Sequence, residues 1–319
     1  MNSGGVIMYQ IIVNPNSGSG NGRQKWEQLR RLLDHAKMTY IIYHTKSAKD
    51  ASAYISRITD QSLYENKAQM NRILLLGGDG TLNHCINGID DLAHTTVTYL
   101  PSGTSNDFSR ALHISTDPAK AVRALGKKGR TVRMDLGNVF FGTKKKRFAV
   151  SSGIGYDASV CQEVLNSPLK PYFNKIGLGK LIYGIVALKQ FITLRPCGCD
   201  LYLDDETEPI HFDTFLVAAF MNLKYEGGGF PFAPDADPTD GMLDICMVGN
   251  LPKIAVPFVL PFLLVGKHYG KPGVKHYRAS KARIVTERPL FAHTDGEIIG
   301  KQTELRYECG AEKLLFRTR

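Results

Sequence analysis

The chain has 319 residues, of which 43% are hydrophobic and 22% charged, a composition that excludes a largely disordered protein. Its net charge of +10 admits nucleic acid, an anionic membrane or a phosphorylated small molecule as partner. Nucleic acid is disfavoured, because the sequence has no zinc-finger spacing, RNA-recognition signature or basic heptad region. The length predicts two domains with a cleft between them.

Three features of the sequence indicate a cytoplasmic protein. The six cysteines have no metal-ligand spacing, as expected for free thiols in a reducing compartment. The first apolar block, Tyr9 to Val13, is too short for the core of a signal peptide. The most apolar segment, Leu251 to Gly266, contains three prolines and falls short of the ~20 residues that span a bilayer. A buried or partly exposed helix is favoured there over a helix that dips into the membrane.

The first part of the chain alternates strands and helices. Apolar runs and helical periodicity predict strands over 9–13, 40–43, 73–76 and 95–100, and helices over 26–36, 51–58, 82–89 and 117–125. Such alternation predicts a mostly parallel sheet that is covered on both faces. Ligands of these sheets bind beyond the carboxyl ends of the strands.

Small residues follow three of these four strands. Gly77 to Thr81 reads Gly-Gly-Asp-Gly-Thr and leads into a helix, where exposed N–H groups and the helix dipole favour phosphate. Asn14 to Gly22 and Pro101 to Asp107 are similar loops, and the former is a second candidate phosphate site. Neither the P-loop pattern nor Gly-x-Gly-x-x-Gly after the first strand is present, which points to a less frequent nucleotide fold. A tight turn without a ligand is the alternative.

The second part of the chain is rich in short β runs. Strands are predicted over 131–135, 139–141, 148–151, 200–203, 214–221, 243–248, 282–286 and 303–307, and helices over 157–165 and 175–191. This pattern indicates a sandwich or barrel-like domain. The basic run Lys144 to Arg147 is interpreted as a hairpin tip, either solvated or in contact with an anionic membrane. We therefore predict an α/β domain over 1–130 and a β-rich domain over 131–319, with the final residues packing back on the first.

Two acidic segments carry candidate chemistry. Between Asp235 and Asp244, four aspartates lie among turn-forming residues, and Asp240 with nearby carbonyl oxygens could bind a hard cation. The alternative is an acidic turn that caps a strand. In His293 to Glu297 two carboxylates flank Gly296, so one could accept a proton from an attacking hydroxyl while the other orients it or binds metal. Asp-Gly is also a common turn dipeptide.

Taken together, these motifs resemble the diacylglycerol kinase catalytic-domain family, in its soluble bacterial branch. The resemblance rests on an ordered set that covers nearly the whole chain: Asn14-Pro15 with Ser17-Gly18, Gly77 to Thr81, Pro101 to Asp107, Asp240 to Asp244 and Asp295-Gly296-Glu297. It implies an NAD-kinase-like nucleotide domain with a parallel sheet, a β-rich lipid-binding domain, and ATP-dependent phosphoryl transfer to a lipid hydroxyl with Mg²⁺.

The resemblance also assigns residues. Asp295 would be the general base, Asp79 and Asp135 would belong to a network of water and metal near the phosphates, and Mg²⁺ would lie on Asp240 with backbone oxygens near Asp237 and Met242. The ATP-binding residues would be Asn14, Pro15, Asn16, Ser17, Gly18, Thr45, Gly77, Gly78, Asp79, Gly80, Thr81, Leu82, Asn83 and Thr104. This chain departs from the family pattern in its proline-rich 235–239 loop and in His293, which has no assigned role.

The function expected from the sequence is that of a kinase acting at an anionic membrane surface, with diacylglycerol as acceptor and phosphatidic acid as product. Phosphatidylglycerol, a sphingoid base or a polyprenol also presents a hydroxyl, and the residues do not discriminate among them. Two alternatives stay open: an NAD kinase-like enzyme, which shares Gly-Gly-Asp-Gly, and a nucleotide-binding regulator without catalysis. A monomer and a homodimer are equally compatible with the sequence.

Overall fold

The computed structural model describes residues 7–60, 62, 70–126, 129–168, 179–193 and 195–318. The chain divides into two compact units, Met1–Leu136 with Ala311–Arg319, and Gly137–Gly310. The first unit therefore extends beyond residue 130 and also takes up the C-terminal residues.

The first unit is built on a six-stranded sheet. Its strands are β1 (Met8–Val13), β2 (Thr39–His44), β3 (Asn71–Gly77), β4 (Thr95–Pro101), β5 (Arg130–Met134) and β15 (Leu314–Thr318). The order is β2-β1-β3-β4-β15-β5, in which only β5 pairs antiparallel with its neighbour. The sequence predicts the strand over 131–135 in the second domain, and this is wrong, since β5 pairs with β15 in the first.

Helices connect the strands of this sheet. They are α1 (Asn21–His35), α2 (Ala48–Thr59), α3 (Asp79–Asn87), α4 (Asp107–Ala111) and α5 (Pro118–Leu125). Helix α1 buries Trp26, Leu29 and Leu33 against the apolar strands, as the i, i+3, i+7 spacing predicts. The side chain of Asp117 caps α5 and Pro118 occupies its first turn.

The second unit is built on a nine-stranded sheet. Its strands are β6 (Gly137–Phe141), β7 (Lys144–Phe148), β8 (Ser151–Gly155), β9 (Cys197–Leu203), β10 (Ile210–Met221), β11 (Leu243–Gly249), β12 (Val274–Ala279), β13 (Lys281–Thr294) and β14 (Glu297–Cys309). The main order is β12-β11-β10-β8-β13-β14-β6-β7. Both β8 and β9 pair with β10 and β13, with β8 near the ends of those strands and β9 near their beginnings.

Within the described residues, three α-helices accompany this sheet, α6 (Tyr156–Asn166), α7 (Gly179–Thr193) and α8 (Val256–Leu264). The predicted fold class, a parallel α/β domain followed by a β-rich domain, is confirmed. Part of the helix predicted over 175–191 falls outside the described residues. The basic run Lys144 to Arg147 is not a hairpin tip, because it forms β7 itself, and the turn lies at Gly142 and Thr143.

Helix α8 and the residues beside it are partly exposed, which is one of the two forms that the sequence favoured. Ile254, just before the helix, is 81% exposed, Phe258 within it 75%, and Val265, just after it, 63%. Among the described residues, no helix combines the length and apolar character needed to cross a bilayer. An exposed apolar helix of this kind marks an interaction surface.

Phe316 provides a test of how firmly the C-terminal strand belongs to the first unit. Its side chain is 1% exposed and packs edge-on against Phe108, with 5.2 Å between the ring centroids. We expect Phe316→Ala to lower the free energy of unfolding of this unit by about 3–5 kcal/mol. The single tryptophan, Trp26, lies in the core of the first unit, so its fluorescence in urea reports the transition.

Phe258→Ala is the matched control, because Phe258 is exposed, and it should change stability by less than about 0.5 kcal/mol. Equal stability of Phe316→Ala and the wild type would show that β15 is not part of the cooperative fold.

Candidate functional site

Three loops meet at the carboxyl ends of β1, β3 and β4. We call residues 14–18, 77–83 and 101–107 together the three-loop edge. Asn14 Nδ2 donates to Thr81 Oγ1 at 2.9 Å, and the hydroxyls of Ser17 and Ser102 are 2.5 Å apart. Parallel pairing of the strands, which continues into Ser102 N–H donating to Gly77 O at 2.8 Å, holds the loops in this arrangement.

Glycines allow the backbones of this edge to approach one another. Gly18 has a φ of +58°, and a Cβ there would lie 1.9 Å from Ser102 O. A Cβ on Gly103 would lie 2.8 Å from Gly78 Cα. Side chains are excluded at these two contacts, so the loops meet there through their backbones.

The N-terminus of α3 lies at the centre of the three-loop edge. Gly78 is its N-cap, and Asp79, Gly80 and Thr81 form its first turn, while Leu82 and Asn83 are buried behind it. N–H groups of a first helical turn have no partner within the helix and favour an anion. Asp79 Oδ2 accepts the N–H of Asp107 at 3.0 Å and so ties this loop to the one after β4. Its predicted role toward metal and water stays a prediction.

The other predicted nucleotide residues lie around the same edge. Thr45 follows β2 and donates its N–H to Val13 O at 2.9 Å, beside the Asn14 loop, and Thr104 is exposed at the tip of the third loop. Asn16 donates its N–H to Asn14 Oδ1 at 3.1 Å, across Pro15. All these assignments stay predictions, although the structure brings the segments together.

Lys25 of α1 contacts the three-loop edge and is absent from the predicted set. Its Nζ donates to Pro101 O at 2.6 Å, and burial lowers its pKa. A lysine at the mouth of a phosphate site can neutralise charge as a point cation. The sequence signal was weak, because a lysine in the second turn of an amphipathic helix usually faces solvent.

Asp295 occupies the turn between β13 and β14. Thr294 pairs with Glu297, and both turn residues have positive φ, +46° at Asp295 and +80° at Gly296, as in a type I′ hairpin that favours Asp-Gly. The carboxylate accepts three backbone N–H groups, from Ala149 and Val150 at 2.9 Å and Ser151 at 3.0 Å. The Asp-Gly turn that the sequence predicts therefore also carries the candidate carboxylate.

The predicted metal ligands form an acidic turn that already has a cationic partner. Asp240 Oδ1 accepts the N–H of Met242 at 2.9 Å, and Oδ2 forms an ion pair with Arg278. Asp237 accepts the N–H and hydroxyl of Thr239. Carboxylate and carbonyl oxygens suit Mg²⁺ in type, but the arrangement does not fit a metal as it stands, because a cation would have to displace the Arg278 guanidinium.

Asp135, which the resemblance assigned to the network near the phosphates, is fully buried in the first unit. It forms an ion pair with Lys313, the residue just before β15. The pair ties the C-terminal segment to the end of β5. This contact is a structural explanation for a buried carboxylate.

His293 lies in a cluster that the sequence did not reveal. Its Nε2 is 3.0 Å from Asp157 Oδ2 and 3.0 Å from Glu226 Oε1, and the imidazole is fully buried. We call these three residues the His293 cluster. Its members come from β13, α6 and the loop after β10, so no local pattern could have indicated it.

Family models match both units. The model described as diacylglycerol kinase catalytic domain matches residues 8–139, and the one described as YegS C-terminal NAD kinase beta sandwich-like domain matches residues 149–314. The two matches cover most of the chain in the order of the two units.

Relatives and solved structures agree with these matches. The chain is 30% identical over 312 residues to "Putative lipid kinase YtlR" of Bacillus subtilis strain 168, covering 97% of this chain and 98% of that protein. It is 26% identical to a diacylglycerol kinase of the same organism, covering 91% and 90%. A solved structure titled as a diacylglycerol kinase from Bacillus anthracis strain Sterne has a TM-score of 0.69 at 21% identity, covering 98% and 97%, and shows the shared fold.

Glu226→Gln provides a test of protonation in the His293 cluster. Burial raises the pKa of Glu226 above its ordinary 4.5, and the Asp157 carboxylate adds to this against the opposing effect of His293. A group whose pKa is raised in the folded state contributes stability that is fully present below its unfolded-state pKa. This stability is lost as pH rises through its folded-state pKa. We expect the free energy of unfolding of the second unit to fall as pH rises above about 4.5, and to fall less in Glu226→Gln.

Protection factors of the β10 and β13 amides, corrected for intrinsic exchange at each pH, measure this change. Glu208→Gln, at an exposed position, is the control and should follow the wild type. The same pH dependence in wild type and Glu226→Gln would contradict a raised pKa at Glu226.

Proposed function

We propose that this chain, which belongs to the diacylglycerol kinase catalytic-domain family of lipid kinases, uses ATP to phosphorylate diacylglycerol and forms phosphatidic acid. Membership rests on the family models and on 30% identity over 97% of the chain. The nucleotide, the acceptor and the residue roles are the proposal. The observation that carries it is the three-loop edge, where loops from three parallel strands meet around the N-terminus of α3, whose first turn offers backbone N–H groups.

The three-loop edge would bind the phosphates of ATP. The first turn of α3 supplies N–H groups and the positive end of a helix dipole, and Lys25 supplies a cation at the end of β4. Phosphoryl transfer requires little covalent chemistry from a protein, because positioning and charge neutralisation provide most of the rate. A surface of oriented backbone groups is therefore sufficient on the nucleotide side.

Asp295 would act as the general base. The acceptor hydroxyl oxygen bonds to the γ-phosphorus of ATP, the bond from that phosphorus to the β,γ-bridging oxygen breaks to release ADP, and the hydroxyl proton passes to Asp295. Three N–H donors hold the carboxylate in one orientation, which is what a base needs to meet a positioned hydroxyl. A divalent cation bound with the nucleotide would neutralise charge on the transferring group. The Asp240 turn with Asp237 and Met242 is not assigned to that cation, because the Asp240 carboxylate is already paired with Arg278.

The exposed apolar face around α8 would contact the membrane that contains the acceptor. Ile254, Phe258 and Val265 are more than half exposed, and Lys271 Nζ lies 4.2 Å from the ring centroid of Phe262. Apolar side chains flanked by lysine suit the boundary of an anionic bilayer, as does a net charge of +10. A cavity of about 360 Å³ opens at the end of this helix, lined by Lys224, Tyr225, Pro231, Pro234 and Leu264 among others.

Asp295→Asn tests the base. With labelled ATP and mixed micelles of diacylglycerol, phosphatidylglycerol, sphingoid base or polyprenol, we expect wild type to label diacylglycerol and the variant to lose at least about 100-fold in kcat. The variant should also be less stable by about 1–3 kcal/mol, because an amide NH₂ would face the Ala149 or Val150 N–H. ATP affinity, measured by calorimetry, should be retained.

Gly103→Ala is the complementary variant, because its Cβ would force Gly78 away and should weaken ATP binding instead. Gly184→Ala, where a Cβ meets no atom within 4 Å, is its control. Labelling of NAD in place of lipid would support an NAD kinase. ATP binding with no labelled product would support a regulator, and unchanged turnover of Asp295→Asn would remove Asp295 as base.

Phe258→Ser tests the membrane surface. Burial of a phenylalanine is worth about 1.5–3 kcal/mol, so the variant should bind phosphatidylglycerol-containing vesicles at least about tenfold more weakly in sedimentation. Ile41→Ser, at an apolar residue exposed on β2, is the control and should bind like the wild type. Equal loss in both variants would indicate that α8 is not the contact.

A further inference from the structure

The imidazole of His293 is buried and is contacted by residues from other segments of the chain. It lies in β13 opposite Gly153 of β8, and its exposed fraction is zero. Asp157 comes from the first turn of α6 and Glu226 from the loop after β10, so three distant segments converge on one ring. The carbonyl of His293 is also held, by Ser152 Oγ at 2.6 Å. These three contacts hold both the ring and its backbone.

Gly153 makes room for this arrangement. A Cβ at Gly153 would lie 2.2 Å from Asp157 Oδ2 and 2.7 Å from His293 Nε2. Any side chain at this position would therefore separate the imidazole from Asp157. The contact between ring and carboxylate depends on a glycine in the facing strand.

The other ring nitrogen faces the turn that carries Asp295. His293 Nδ1 accepts the N–H of Gly296 at 3.3 Å. An acceptor nitrogen cannot carry a proton, so the ring proton is placed on Nε2, between the two carboxyl groups. The ring thus connects the buried carboxyl groups to the Asp295–Gly296 turn.

Two opposing effects act on the charge of the His293 ring. One Nε2 hydrogen cannot satisfy two ionised carboxylates. Burial opposes a charged ring, yet the charges of Glu226 and Asp157 raise the pKa of His293. A second ring proton, on Nδ1, would face the Gly296 N–H. The Gly296 N–H thus opposes the charged ring that the two carboxylates favour, and Glu226, whose pKa burial raises, is the alternative holder of the further proton.

We propose that His293 is a positioning residue for Asp295. Its Nδ1 holds the Gly296 amide and thereby the turn, and its Nε2–H is anchored by the Asp157 and Glu226 carboxyl groups. The inference rests on the proposed function in so far as Asp295 is the base. Misplacement of a reacting group by about 1 Å can cost on the order of 100-fold in rate, so an anchor for this turn has a direct effect on kcat.

A metal ion is the competing occupant of this cluster. Donor atoms of Asp157, Glu226 and His293 lie within 4.8 Å of one another, a spacing that could hold a divalent cation. Such an ion would need the lone pair of Nε2 and a proton on Nδ1, which the Gly296 N–H opposes. The tautomer therefore separates the two possibilities.

Two substitutions separate positioning from general packing. In His293→Asn the amide oxygen can replace Nδ1 and accept the Gly296 N–H, whereas in His293→Gln the amide nitrogen can replace Nε2 and donate to the carboxyl groups. Positioning predicts that His293→Gln loses about 10- to 100-fold in kcat with an unchanged KM for ATP. His293→Asn should retain about ten times the kcat of His293→Gln. A purely structural role predicts the reverse order, and that result would overturn the proposal.

Readouts independent of activity complete the test, with exposed His211→Gln as control. Nitrogen-15 NMR of the wild type should show His293 Nδ1 without a proton, and the Gly296 amide should lose exchange protection in His293→Gln but less so in His293→Asn. A protonated Nδ1, or a stoichiometric divalent ion found by plasma emission and lost in Glu226→Gln, would overturn the proposal. If wild type labels no lipid, the proposed function fails, while these measurements still decide whether His293 holds the turn.

Discussion

Parallel pairing of β1, β3 and β4 is the constraint on which the first unit depends. Neighbouring parallel strands end at the same edge of a sheet, so their following loops are brought together whatever their separation in sequence. Asn14 and Thr81 are 67 residues apart, and Ser17 and Ser102 are 85 apart, yet each pair is in hydrogen-bond contact. The glycines at 18, 78 and 103 then permit backbone contact where side chains would hold the loops apart. The proposed phosphate site would follow from this topology and from small residues, with few polar side chains required.

The sequence predicted this unit well for a physical reason. A strand that is covered on both faces must be apolar along its length. Strand β3 is buried from Ile73 to Gly77, and its run of leucines predicts such a strand. Strand β5 was assigned to the wrong domain and β15 was not predicted as a strand, although the final residues were expected to pack on the first domain. The sequence of β5, Arg-Thr-Val-Arg-Met, is largely polar, and the strand gains its partner only when the C-terminus returns. The basic run Lys144 to Arg147 was also misinterpreted, as a hairpin tip. Strand β7 lies at the end of the sheet order, and an edge strand tolerates lysine where a central one does not.

The candidate site was predictable where local sequence carries the geometry. Asp-Gly between two strands predicts a type I′ turn, and the positive φ values of Asp295 and Gly296 are that turn. The donors that hold the carboxylate come from residues 149–151, more than a hundred positions earlier, and no local pattern could indicate them. Positive charge near Asp240 was expected from a metal, whereas Arg278 of β12 supplies it. Both sources satisfy the same carboxylate, and only the tertiary structure distinguishes them.

The second unit holds its carboxyl groups in two different ways, and the difference matters for a base. Asp295 is held by backbone N–H groups, which cannot give up their protons and therefore keep the carboxylate in one place before and after it receives a proton. Asp157 and Glu226 share the proton of His293, so their ionisation is coupled to the ring. His293 and Asp295 are only two residues apart in the chain, and the proposed link between the two systems is the His293 Nδ1, which accepts the Gly296 N–H. The cluster can therefore hold the turn in place through the ring, while the exchangeable protons remain on the Nε2 side of the imidazole.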